Sequence, residues 1–124
     1  MTILIEDIAT YLATQLHLTV GTNVFVSHLP PAPDVAIAVL DSGGETAQFT
    51  GVERRRVQVI VRDGAYDAGA ATAGRVLSAL NGKTGFISGR SISFSAAMAL
   101  PIYLGVEEGG LHSFSLNFLI TVKP

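Results

Sequence analysis

The residues able to do chemistry in this sequence are few: three histidines, three close pairs of carboxylates, one Gly-Lys-Thr and one run of three arginines. His17 falls in a helix C-terminal turn, His28 at a strand end and His112 at a strand start. None has a second ligand at metal-binding spacing such as H-x-x-x-H, so they read as turn and surface histidines. Gly82-Lys83-Thr84 has the ending of a phosphate-binding loop. Such a loop needs a glycine five residues earlier, where Leu77 stands, and it must open a helix, whereas this one closes a helix. Gly89-Arg90-Ser91-Ile92-Ser93 lacks the closing glycine of a nucleophile elbow and lies within a strand pattern. The carboxylates Glu6/Asp7 and Asp63/Asp67 sit where they complement the positive ends of helices, and Glu107/Glu108 sit in a glycine turn. With no cysteine in the chain, thiolate chemistry and disulfides are excluded. The expectation is a protein with no catalytic residues, no metal and no cofactor.

The arginines Arg54, Arg55 and Arg56 have three readings. They guard a strand edge against aggregation, grip nucleic acid, or contact another subunit. Arg54 and Arg56 share one strand face and Arg55 opposes them. A nucleic-acid grip is disfavoured by the net charge of −2 and by the lack of aromatic residues interleaved for stacking. For a subunit contact, the bidentate guanidinium fork fits carboxylates. Glu45 and Glu53, or Glu107 and Glu108, are candidate partners on a neighbouring copy.

The elements that carry these residues follow from periodicity. Ile5, Ile8, Leu12 and Leu16 recur at helical spacing after a possible Thr2 cap. Asn23 to His28 reads as a short strand, and three prolines in Leu29–Pro33 exclude helix or central strand there. Asp34 to Leu40 is apolar on both faces, as for an interior strand. Residues 41–53 form a long glycine-rich connection, read as a mobile loop. From Arg54 a third strand alternates, with Val57, Val59 and Val61 on one face. Asp63 is placed to cap a second helix carrying Tyr66, Ala70, Ala73, Leu77 and Leu80, stopped by Asn81-Gly82. Its glycines, Gly69 and Gly74, permit close approach of another backbone. Two serine-rich strands end the chain, Arg90–Leu100 with Ile92, Phe94, Ala96 and Met98 on one face, and His112–Lys123. Gly105–Gly110 is the turn between the last strands, with a short extra strand possible at Ile102–Leu104. The order α-β-β-β-α-β-β predicts an α+β fold, a mainly antiparallel β-sheet with two α-helices packed on one face, as one domain over residues 1–124.

Composition adds a constraint. Only 15% of the 124 residues are charged, against about 25% in typical domains. So small a domain has much surface to cover, so part of it is expected to meet other protein. No apolar run reaches the roughly 18 residues of a membrane span, and the start, Met1 to Asp7, lacks the features of a signal peptide. The expectation is a soluble protein made inside the cell.

The layout of Leu29–Gly44 ("LPPAPDVAIAVLDSGG"), the arginine-ended strand Val57–Asp63 leading into a helix, and the closing Ser113–Lys123 ("SFSLNFLITVK") resembles the tail terminator, or tail completion, proteins of long-tailed bacteriophages. The resemblance implies a structural virion protein, not an enzyme, forming a homo-oligomeric ring, commonly hexameric. Its implied partners are the major tail tube protein, whose polymerisation it ends, and the head–neck connector protein. DNA would pass through without specific binding, and no membrane is involved. The implied location is the head-proximal end of the tail, after assembly in the host cytoplasm. A neck or stopper protein is the alternative within this class, and a small ligand-binding α+β domain the alternative outside it. On the ring reading the interface candidates are Arg54, Arg55, Arg56, Arg62, Glu45, Glu53, Phe49, Glu107 and Glu108.

Overall fold

A computed structural model describes residues 3–46, 52–107 and 109–122. The candidates Phe49 and Glu108, and the proposed Thr2 cap, lie outside the described residues. Helix α1 (Leu4–Leu16) buries Ile5, Ile8, Ala9, Leu12, Ala13 and Leu16, the stripe that its periodicity requires. Glu6 and Asp7 stand in its first turn, where the helix dipole favours negative charge. The helix ends at His17 in the left-handed region, φ 58°, and Leu18 N–H reaches back to the Ala13 carbonyl at 2.8 Å.

Three strands follow: β1 (Val24–Val26), β2 (Ala36–Thr46) and β3 (Glu53–Asp63). After α2 (Tyr66–Leu80) come β4 (Lys83–Ile87), β5 (Arg90–Ala97), β6 (Ile102–Val106) and β7 (His112–Val122). They form one seven-stranded sheet in the order β1-β2-β3-β7-β5-β4, with β6 also paired to β7 beside the opposite end from β5. Every pairing is antiparallel except β1 with β2. At the centre, β3 and β7 align without a slip from Glu53↔Val122 to Asp63↔His112.

The core lies between this sheet and both helices. Val57, Val59 and Val61 of β3 and Phe114, Leu116, Phe118, Ile120 and Val122 of β7 face one cluster with Leu12 and Leu16 of α1 and Val76 and Leu80 of α2. Burying each such side chain contributes roughly 1.5–3 kcal/mol. The two helices are tied by Tyr11 Oη, which donates to the Ala79 carbonyl at 3.0 Å. The fold class is therefore the α+β arrangement read from the sequence.

Several local expectations change. Strand β2 continues through Thr46, so the described part of the 41–53 connection is one side of a hairpin arm with β3. A bulge between Asp41 and Gly44 absorbs one extra residue. Gly44 is required there: its φ is 149°, and a Cβ would lie 2.2 Å from the Arg54 carbonyl oxygen. Strand β4 goes unpredicted because, of its five residues, only Ile87 is buried, leaving no alternation to detect. In β5 the apolar face shifts. A register break between Ile92 and Phe94 puts Ser95 inside, 0% exposed, while Ala96 is half-buried. Asp63 does not cap α2; it ends β3, and its Oδ1 accepts the Ala65 N–H at 2.9 Å in a turn that launches the helix. The buried stripe of α2 is Gly69, Ala73, Val76 and Leu80, and Tyr66 is 49% exposed. Close approach at Gly69 is to Phe114 of the same chain, whose Cε2 would lie 2.7 Å from an added Cβ.

Candidate interaction surfaces

The arginine run sits on the hairpin arm of β2 and β3. There β2 brings carboxylates across from it. Arg55 Nη2 lies 2.9 Å from Asp41 Oδ2 and its Nη1 3.4 Å from Glu53 Oε1. Arg56 Nη2 lies 3.3 Å from Glu45 Oε1. Glu45 and Glu53, expected as partners on another copy, thus pair within the chain, because the antiparallel register sets Glu45 opposite Arg54 and next to Arg56. These pairs are partly exposed at the surface, where such bridges contribute only about 0–1 kcal/mol. Arg54 is exposed. Arg62, by contrast, is buried, its Nε donating to the Asp34 carbonyl at 3.2 Å and its Nη2 to that of Pro33. It fastens the proline-rich segment to the sheet. Glu107 lies in the β6–β7 turn, at the opposite end of the β3–β7 ladder from Arg54–Arg56.

Asp41 is the titratable group with a marked environment. Its Oδ1 accepts the Gly43 N–H at 2.8 Å. That bond holds the carboxyl below its ordinary value of 3.8, with partial burial opposing and Arg55 adding a hydrogen bond and its charge. The Asp-x-Gly-Gly of residues 41–44 carried this turn signal in the sequence.

Two clefts stand out among the described residues. A groove between the helices is lined by Gln15, Leu16, Ala71, Gly74, Arg75, Ser78 and Ala79. A smaller cavity of 60 Å³ is lined mainly by Leu16, Leu18, Val35, Ile37, Val61 and Thr72. No Asp, Glu or His lines either one. Among the described residues no group of His, Cys, Asp or Glu is placed to hold a metal, and no helix is long and apolar enough to cross a membrane.

An aromatic cluster was not legible in advance. Tyr66 meets the Tyr103 ring edge-on at 5.1 Å, and both rings pack near Phe114. Tyr103 Oη lies 2.8 Å from His112 Nδ1, so this histidine is a hydrogen-bonding partner in the cluster. Tyr103 stands in the flank that follows β5. Along it Met98, Leu100, Leu104 and Val106 are more than half exposed, Leu100 most at 77%, and Ile102 is 47% exposed.

Comparison with known proteins adds the following. A family model described as bacteriophage tail terminator protein matches residues 11–124. A chain in the structure titled "Virion of native gene transfer agent (GTA) particle" superposes with a TM-score of 0.72 at 16% identity, over 98% of this chain and 95% of that one. At that identity the likeness establishes the fold. No curated protein matches the sequence.

Proposed function

Since the chain belongs to the bacteriophage tail terminator family and is a structural protein of the phage tail, we propose that it closes into a ring on the last ring of tail tube protein. The ring ends tube polymerisation and offers its opposite face to the head–neck connector. Six copies form it, at the head-proximal end of the tail, after assembly in the host cytoplasm. It works by contact alone, with no catalytic step, and DNA passes through without specific binding. Neighbouring copies cover surface that few charged residues keep wet. The arm carrying Arg54, Arg55 and Arg56 serves as a docking element. Its guanidinium groups already hold Asp41, Glu53 and Glu45, which leaves the arm stiffened and Arg54 outward for a carboxylate on a partner.

The observation that carries this reading is the family match across residues 11–124. Its test is polymerisation of the cognate tail tube protein with and without this chain. Tubes capped at one end, with a length distribution that stops shifting upward once the chain is added, are expected. Tubes that elongate unchanged overturn it, and sedimentation with capsids in preference to tubes moves the assignment to the neck.

A further inference from the structure

We propose that the flank from Met98 to Val106 is the side patch through which each copy binds the next, and that it seats on the opposite flank of its neighbour, around Val20 and Val35. The proposal rests on the ring reading above and specifies its contact.

Among the described residues, eleven large apolar side chains are exposed, and six of them fall in these nine positions: Met98, Leu100, Ile102, Tyr103, Leu104 and Val106. The surrounding run is unguarded by charge, since no Asp, Glu, Lys, Arg or His occurs from Ser91 to Val106. Among the described residues strand β6 is an edge, paired only with β7. Natural edges are blunted by lysine, proline or bulges. Here Pro101 precedes the strand and a register break falls between Tyr103 and Gly105, so ladder pairing is discouraged while the side chains stay offered. Six half-exposed large residues present several hundred Å² of surface, most of the roughly 800 Å² that each partner contributes to a standard interface. Tyr66, packed edge-on against Tyr103, widens the patch.

The occupant is a second copy because the complementary apolar surface lies on this same chain. On the other lateral edge of the sheet, Val20 is 44% and Val35 53% exposed. That edge is closed to strand addition at Val24, whose N–H goes to the Thr19 carbonyl and whose carbonyl accepts the Gly21 N–H. It too offers side chains. The heights agree: one row of the sheet runs Ala36, Arg62, Ser113, Gly105. The next row runs through Asp63, His112 and Val106, so a neighbour set alongside without a vertical shift brings Val35, one residue before Ala36, to the level of Val106. The two flanks differ in size and composition, so the contact is head-to-tail, the kind that closes a ring by rotation.

The natural absence of cysteine makes the test direct. The double variant Val106→Cys/Val35→Cys is oxidised and run on a denaturing gel, beside each single variant and beside native mass spectrometry of the unmodified chain with tube protein present. A ladder of covalent multimers from the double variant, absent from both singles, is expected, and Leu104→Arg is expected to lower the assembled fraction at least tenfold with its circular dichroism unchanged. Dimers from Val106→Cys alone would indicate a two-fold contact and overturn the proposal. So would a cross-link from Val106→Cys to tube protein, or an intact ring with no ladder, each of which leaves the ring reading standing. A monomer under every condition overturns both.

Discussion

Arg90 Nε lies 2.6 Å from Asp7 Oδ2, which joins the first turn of α1 to the start of β5 at the far side of the sheet from β1. Asp7 is 6% exposed, and the adjacent Ser88 Oγ donates to its main-chain carbonyl at 2.9 Å. The helix is thereby held at its N-terminal end, where the N-cap residue Ile3 supplies no side-chain hydrogen bond. Removing one member of a mostly buried pair strands the other in poor solvent. Asp7→Ala is expected to destabilise by about 2–3 kcal/mol, and a double-mutant cycle with Arg90→Ala to return a coupling of about 1–2 kcal/mol, read by urea denaturation. Additive single effects would contradict the pairing.

Two glycines in α2 are expected to respond in opposite directions. At Gly69 an added methyl meets Phe114 Cε2 at 2.7 Å and Asp63 Cβ at 3.2 Å. Overpacking of this kind costs about 1–3 kcal/mol and outweighs the helix preference for alanine of about 1 kcal/mol. At Gly74 the same methyl meets nothing within 4 Å, so the propensity gain stands alone. Thermal unfolding should place Gly69→Ala below the parent and Gly74→Ala above it by about 0.5–1 kcal/mol.

Ser95 Oγ is buried without a hydrogen-bond partner among the described residues. Unsatisfied burial of a hydroxyl costs about 1–3 kcal/mol. Ser95→Ala is expected to be neutral to stabilising by about 1 kcal/mol in chemical denaturation, and clear destabilisation would disprove the unpaired state.

Asp41 gives a pH signature. Because its folded carboxyl titrates below 3.8, it stabilises the fold above that value and loses the contribution as pH falls through the lower folded value. A carboxyl-resolved NMR titration should find its midpoint below 3.8. Arg55→Ala is expected to raise that midpoint only in part, since the Gly43 N–H is the largest cause. Full return to the ordinary value would reverse the ranking of the two causes.

Much of the fold was legible because its signals are periodic. The helical stripe of α1 and the alternation of Val57, Val59 and Val61 against the core leave little choice of face. What escaped depends on partners the sequence does not display. The break after Ile92 moves Ser95 to the core side, and no local feature of a run such as Ser91-Ile92-Ser93-Phe94-Ser95 marks which residue is extra. The pairing of Arg56 with Glu45 was invisible because it depends on the bulge at Asp41–Gly44 and on continuation of β2 into a region read as loop. Low charge content raised the expectation of surface that meets other protein, but it did not single out the exposed apolar run at Met98–Val106, which becomes visible only once β6 takes its place at an edge.

The unslipped ladder between β3 and β7 has a mechanical consequence. A pull applied along those two strands in opposite senses loads their many cross-strand bonds together in shear, so no single bond bears the force. A pull that lifts β4 or β6 sideways breaks its few bonds one after another, as a zipper opens. The central ladder is therefore the toughest part of the domain, and the flanking strands are where tension yields first.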